Sequence, residues 1–451
     1  FIVKLSPNGQ TSLWATYYGG NYNDQAKTIQ ISPISGDIYV GGFGGGGFPL
    51  LNLGGAYNSA ATSGGDIIKF NSSGARIWAT ILGVCVESIA IDPNNDVVAV
   101  GRLSSAVNFP IQGAYGNTTY GGGQNDGFVT KFYGTSLAVE WSTMYGGNGW
   151  DVCQDVVAVQ EGANIFYYVV GHSGSTSGGP IPLVQPGFGE YYQGALAGGS
   201  NDDGTIAQFH SSGQLFWSTY MGGNNADYFY GVTADSDDNI YLTGYTYSNN
   251  FPLPATNAAN AFVVSTLAGT TDAIDVSFHK VIHNYVWGTY HGGSMAEIGW
   301  DISCEGNSRL YVVGETGALA DFPLCQGTTT ANGTPYFDGT PDGNIKGFVS
   351  DLDLSPVIVA GINAPEENIG SFAIYPNPAD QVLYISGQAV NGEPVTIEIV
   401  DIMGRVVYSE TDQSSGMLNK QIDISNLANG TYIIKVETVN AVSTEKIVIQ
   451  R

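Results

Sequence analysis

The chain has 451 residues, with 14 Lys plus Arg against 40 Asp plus Glu, and a formal net charge of -26. Such a balance repels nucleic-acid backbones and anionic membrane surfaces, so neither is expected as a partner. Gly, at 63 residues, holds about twice its usual share. Helical periodicity is absent, and no apolar run is long enough for a membrane-spanning helix.

The opening FIVKLSPNG reads as a strand entering a Gly turn, not as an export leader. The expectation is a chain already trimmed, or one cut inside the fold. WATYYGG follows from Trp14, and the phrase returns as WATILG at Trp78, WSTMYGG at Trp141, WSTYMGG at Trp217 and WGTYHGG at Trp287. Spacings of 64, 63, 76 and 70 residues are too long for helical repeats and suit four short strands with long loops.

One unit reads as a strand such as DGFVTKF (Asp126 to Phe132), a Gly turn, the Trp strand and a Gly-Gly corner. Two further strands joined by a Gly, Asn or Asp turn complete it. The last strand ends at Gly41, Gly101, Gly171, Gly244 or Gly314, and a link that usually opens on Phe-Pro leads onward. Five units are complete, and a sixth starts at IKGFVSDL and continues through SPVIVAG to Gly361. Residues 1–361 are therefore expected to form an all-β propeller of four-stranded blades. Six blades are expected, closed by strands from both ends, with upstream strands completing the sixth.

Within that frame Trp14, Trp78, Trp141, Trp217 and Trp287 are expected to fill the space between blades. Four residues beyond the corners stand Asp24, Glu87, Asp151, Asp227 and Glu297. Their repetition suggests carboxylates that accept hydrogen bonds from the corner N–H groups. A ring of cation sites is the alternative. The oxygen-rich turn DSDDN offers Asp235, Asp237 and Asp238 as candidate calcium ligands, without a full twelve-residue calcium loop. The long link PGFGEYYQG offers Phe188, Tyr191 and Tyr192 for stacking on sugars, with loop packing as the competing role.

The four Cys form no C-x-x-C; buried free thiols are expected, and Cys304 with Cys325 is the one locally plausible disulfide. No zinc spacing, G-x-S-x-G elbow or unique His-Asp-Ser cluster is visible, and GGFGGGGF lacks the Lys-Ser/Thr of a phosphate loop. The expectation is a non-catalytic binding module. A polysaccharide hydrolase or lyase is the alternative, since paired carboxylates held at glycosidase distance are invisible in sequence.

The repeated pattern, a strand ending near Lys and Phe, then W-x-T-Y-x-G-G, an acid, a Tyr-x-x-Gly strand and Phe-Pro, resembles the bacterial SBBP-type β-propeller repeat. After a polar linker, residues 362–370, the segment 371–451 reads as a small antiparallel β-sandwich. It resembles the type A C-terminal sorting domain of type IX secretion cargo in Bacteroidota. The matching residues are Tyr375-Pro376-Asn377-Pro378, the Asp401-x-x-Gly404-Arg405 turn, Leu427-x-x-Gly430-x-Tyr432 and the stretch from Lys446 to Arg451. That resemblance implies export to the cell surface or medium. It also implies recognition by the translocon and an outer-membrane shuttle protein, and cleavage by a sortase-like protease in the linker. With that placement, the long Tyr-, Asn-, Ser- and Gly-rich links lead to the expectation that the body binds surface glycans or other polymers.

Overall fold

A computed structural model describes residues 1–104, 109–113, 120–161, 164–187, 190–199, 201–235, 239–254, 262–280, 283–307, 309–318, 321–323, 345–354, 373–375, 379–388, 394–401, 405–413, 417–438 and 441–451. Strands are the only regular elements among the described residues. The chain divides into two compact units, Phe1–Gly361 and Ile362–Arg451.

The first unit opens with the pair β1 (Ile2–Leu5) and β2 (Ser12–Thr16). Four antiparallel four-stranded sheets follow. They comprise β3 (Gln25–Ile31), β4 (Ile38–Gly44), β5 (Gly64–Phe70) and β6 (Arg76–Ile81); then β7 (Cys85–Ile91), β8 (Val97–Leu103), β9 (Asp126–Phe132) and β10 (Val139–Tyr145). The next two are β11 (Asp151–Glu161), β12 (Asn164–Ser173), β13 (Asp203–His210) and β14 (Leu215–Met221), and β15 (Asp227–Ala234), β16 (Asn239–Thr246), β17 (Asp272–His279) and β18 (Tyr285–His291). The last sheet has β19 (Glu297–Glu305), β20 (Arg309–Thr316) and β21 (Lys346–Asp353). SPVIVAG, read as the next strand of this blade, lies outside the described residues, as do Cys325 and the linker 362–370.

These sheets are blades of a β-propeller, but their phase differs from that of the sequence unit. Each four-stranded sheet begins after a Gly corner and ends with the Trp strand, so the link that usually opens on Phe-Pro lies inside a sheet, between its second and third strands. A tandem repeat fixes the period of a sequence but not which strands share hydrogen bonds, and that accounts for the offset of two strands.

The Trp rings pack between blades. Trp78 meets Phe132, Trp141 meets Phe209 and Trp217 meets Phe278, in each case the Phe at or next to the end of the third strand of the next sheet. Trp14 makes the corresponding contact with Phe70. Four of the indole N–H groups donate to carbonyls, of Tyr57, Ser211, Tyr191 and Phe262, at 2.8–3.1 Å. The turn residue Gly213, at φ 90°, lies on the Trp141 ring, where a methyl carbon would come within 2.9 Å of it.

Among the described residues, no strand pairing joins the first and last sheets. Val3, Leu5, Leu13, Ile29 and Ile31 are exposed at one end of the stack, and Val313 and Val349 at the other. β1–β2 covers Ile38, Val40, Ile68 and Phe70 through Ile2 and Trp14, leaving β3 uncovered.

The second unit is a two-sheet sandwich. β22 (Ala373–Tyr375), β23 (Val382–Gln388) and β26 (Met417–Asp423) face β25 (Val406–Gln413), β24 (Pro394–Asp401), β27 (Gly430–Thr438) and β28 (Ala441–Ile449). Alternating residues, among them Leu383, Ile385, Ile397, Ile399, Ile434 and Ile447, fill the space between the sheets. The terminal Arg451 binds this core from its edge: its guanidinium donates to the carbonyls of Ile424, Leu427 and Asp380 at 2.6, 2.7 and 3.0 Å.

Candidate functional site: an aromatic surface beside the bulged first strands

The first strands β3, β7, β11, β15 and β19 lie side by side along the stack. Every one carries a β-bulge at its third or fourth residue. A bulge leaves one residue outside the ladder and re-aims its side chain. The residues so released are Lys27, Glu87, Gln154, Tyr230 and Trp300.

Glu87 therefore differs from the other four acids with which the sequence groups it. The corner after Leu82 is shorter than the others, so counting from the Gly puts Glu87 at a bulge, where it pairs with Lys27 (3.4 Å) and Arg102 (3.5 Å). The short corner also borders a cavity of about 230 Å³ between Gly64, Gly83, Val84 and Phe109. The other four acids behave alike. Asp24, Asp151, Asp227 and Glu297 each accept a hydrogen bond from the second corner Gly at 2.7–2.8 Å. Side-chain hydroxyls supply further donors: Ser173 and Ser175 to Asp151, Thr246 and Ser248 to Asp227, and Thr316 to Glu297.

Beside the bulges runs a chain of seven rings. Trp150 meets His172 edge-on at 5.5 Å, and His172 meets Tyr228 at 4.7 Å. Tyr228 stacks on its cross-strand partner Tyr245 at 4.8 Å, and Tyr230 also stacks on Tyr245, at 5.7 Å. Trp300 follows at 4.9 Å from Tyr230, and Tyr247 lies 5.8 Å from Tyr245. β-strand alternation puts Tyr228 and Tyr245 on the face opposite the core residue Phe229. Trp150, Trp300 and Tyr247 are 41, 44 and 45% exposed. Burial, then the charge of Asp202, pushes the Tyr228 phenol up, so it remains a neutral hydroxyl facing that carboxylate at 3.4 Å.

The structure also assembles a polar chain invisible in the sequence. Ser350 Oγ lies 3.0 Å from His291 Nε2, and His291 Nδ1 lies 2.7 Å from Asp275 Oδ2. Thr243 donates to the other Asp275 oxygen at 2.7 Å. These residues come from β21, β18, β17 and β16, so sequence proximity gives no sign of them. The available signal is a break in the repeat, because Asp275 and His291 stand where the β13–β14 unit has Ile206 and Met221. His291 is 2% exposed and touches the rings of Phe262, Phe322 and Phe348.

The residues singled out in the sequence lie elsewhere. Tyr191 packs against Phe278 and Tyr285 at 5.9 and 5.8 Å, which occupies its ring, and Tyr192 is 36% exposed. Phe188 lies outside the described residues, as do Asp237 and Asp238. Asp235 is buried and anchors its own turn, accepting from Asn239 and Tyr241. No group of three or more His, Cys, Asp or Glu suited to a metal occurs among the described residues. Cys85 and Cys153 are buried free thiols, and Cys304 Sγ lies 3.3 Å from Thr233 Oγ1. In the tail, Arg405 returns to Asp401 at 2.7 Å and Tyr432 donates to the carbonyl of Ala428 at 3.0 Å. Gly430 and Lys446 lie at the start of β27 and on β28; Pro376, Asn377, Pro378 and Gly404 lie outside the described residues, and Tyr375 ends β22.

Fold and tail define a class: a repeat β-propeller joined to a β-sandwich secretion signal. The Secretion system C-terminal sorting domain family matches residues 373–450, and the SBBP Beta-propeller repeat family matches residues 217–252. The chain is therefore a propeller-bearing cargo of the type IX secretion system, exported through the outer membrane to the cell surface or beyond. A curated relative, an uncharacterised WD repeat-containing protein of Acanthamoeba polyphaga mimivirus, is 24% identical over 307 residues, which is 58% of this chain but 22% of that protein. Among solved structures, dimeric latent PorU from Porphyromonas gingivalis is 9% identical, with 81% of this chain and 32% of that one covered and a TM-score of 0.17. A family 43 arabinoxylan arabinofuranohydrolase from Bacillus subtilis is 9% identical, with 96% of each chain covered and a TM-score of 0.23.

Proposed function

We propose that the propeller is a non-catalytic binding module for neutral glycans, displayed or released at the cell surface. The seven-ring surface from Trp150 to Trp300 carries this reading. Flat apolar rings with polar edges suit pyranose faces, and Asp202 and the Tyr hydroxyls supply hydrogen-bonding groups beside them. The net charge of -26 works against acidic polymers unless a cation bridges. In this reading the tail is read by the translocon and its outer-membrane shuttle, and a sortase-like protease then cuts in 362–370. Affinity electrophoresis of the full chain through neutral and acidic polysaccharides, with an assay for new reducing ends, tests the proposal. Retention on a neutral polymer without product supports it; release of product, or retention unchanged after Trp150→Ala and Trp300→Ala, overturns it.

A second reading, an esterase acting on acylated polymers, is favoured by the Ser350–His291–Asp275 chain. The packing of three Phe rings around His291 weighs against it.

A further inference from the structure

At three consecutive corners, the acid that opens a third strand joins the corner acid, Asp272 beside Glu297 being the third, and Asp66 stands near Asp24 at the first corner. Asp126 opens β9 and faces Asp151; Asp203 opens β13 and faces Asp227. The first corner Gly stands between the members of the second pair. A methyl carbon on Gly222 would lie 2.6 Å from Asp203 Oδ1 and 2.6 Å from Asp227 Oδ2. Gly146 is equally close-set, with Asp126 Oδ1 at 2.9 Å from such a carbon. Thus the Gly keeps side-chain atoms out of the space between the acids.

All four carboxylates of the Asp126/Asp151 and Asp203/Asp227 pairs are at most 1% exposed. Those of Asp151 and Asp227 are supplied with donors on both oxygens. Asp126 Oδ2 accepts from Gly121 N–H, and Asp203 Oδ2 accepts from Gln193 and Ala197. In contrast, Asp126 Oδ1 and Asp203 Oδ1 are buried without a hydrogen-bond partner among the described residues. Both belong to the side of the carboxylate that crowds the corner Gly.

The short corner provides an internal comparison. Its one acid, Glu87, is neutralised by Lys27 and Arg102. The paired acids have no Lys or Arg ion-pair partner among the described residues; His172 acts on Asp151, and is itself 3.5 Å from Asp202. Two buried carboxylates with no countercharge are unfavourable, since each charge raises the cost of the other.

We propose that the Asp126/Asp151 and Asp203/Asp227 corners each bind one hard divalent cation of the calcium class, seated on the unpartnered Oδ1 oxygens. Carboxylate oxygens are the donors such ions select, with main-chain oxygens and water completing the six to eight that calcium takes. This goes beyond the glycan reading and does not depend on it. The ion sits between the third strand of one blade and the first strand of the next, so it fastens neighbouring blades. The Asp272/Glu297 corner is excluded, because all four of its carboxylate oxygens already accept hydrogen bonds.

Thermal unfolding of the full chain at pH 8, in EDTA and in millimolar calcium chloride at matched ionic strength, tests the proposal. Calcium is expected to raise Tm by about 3 °C or more. The isosteric double variant Asp126→Asn with Asp203→Asn removes one charge from each pair and places an amide where the ion would sit. It is expected to melt in EDTA no lower than the parent and to give no calcium response or calcium heat in titration calorimetry. Equal melting of the parent in calcium and EDTA overturns the proposal, as does a calcium response that survives in the double variant.

Discussion

Ser88 Oγ donates to Asp155 Oδ1 at 2.6 Å across two neighbouring blades, and Val232 N–H of a third blade donates to Asp155 Oδ2 at 2.8 Å. One carboxylate on β11 thus holds three first strands together, with Val156 N–H as a further donor at 2.8 Å. Asp155→Ala is expected to lower unfolding free energy by about 3 kcal/mol, since it strands three donors at ~1 kcal/mol each. Asp155→Asn, which keeps an acceptor, should lose less. Urea titration of the two variants measures the difference; equal and negligible losses would contradict this role.

Several buried acids dictate how stability follows pH. Burial raises Asp126, Asp155 and Asp203 to about 7, and Asp227 to about 6. The charges of Asp151 on Asp126 and of Asp227 on Asp203 add to it. The folded state therefore retains protons that the unfolded state releases near pH ~4. Their contribution is fully present below the unfolded value and is lost as pH rises through 6 to 7. Without added metal, the chain should be more resistant to urea at pH 5 than at pH 8. Higher resistance at pH 8 would show that other groups dominate.

Trp150→Ala and Trp300→Ala remove the two exposed indoles at opposite ends of the ring chain. Each should weaken retention on a neutral polysaccharide roughly tenfold, the change that goes with ~1.4 kcal/mol. Circular dichroism melts should move little, because each indole is over 40% exposed. Tyr191→Ala is expected to do the reverse, costing stability through its contacts with Phe278 and Tyr285.

His291→Ala should lower stability by about 3 kcal/mol, as it leaves Asp275 buried without its imidazole partner. The intact chain should not react with a fluorophosphonate probe or hydrolyse acetyl esters. Labelling lost in Ser350→Ala would instead establish the esterase.

Deleting residues 371–451 should leave the propeller folded and held in the periplasm, as read by cell fractionation. The milder change Arg451→Ala removes three hydrogen bonds at the edge of the sandwich and should lower surface display of the intact chain. Normal display of the deleted form would contradict the role of the tail.

The β-propeller and the sandwich were legible because their signals are periodic. Trp phrases recur at each interface, and alternation in segments such as VTIEIVDI identifies the buried face. Blade phase was not, since hydrogen-bond partners leave no mark on a repeat. Glu87 was misaligned because a corner had lost residues, and counting from Gly carried the error forward. The ring surface had one legible sign. Of the seven Trp, five belong to the repeated phrase, and Trp150 and Trp300 do not. Their neighbours Tyr228, Tyr230 and Tyr245 could not be placed beside them without knowing the β15–β16 register and the bulge that turns Tyr230.

The bulges separate two requirements that a strand normally couples. In a regular strand, a change of residue type at one position must respect whichever face it serves. A residue expelled from the ladder answers to neither face, and the five expelled here are a cation, an anion, an amide, a phenol and an indole. The blades on either side stay nearly uniform. Chemical identity at these five positions can thus drift from one descendant to the next while the alternating core residues of the strands are left in place, which makes them the natural place to redesign what the scaffold recognises.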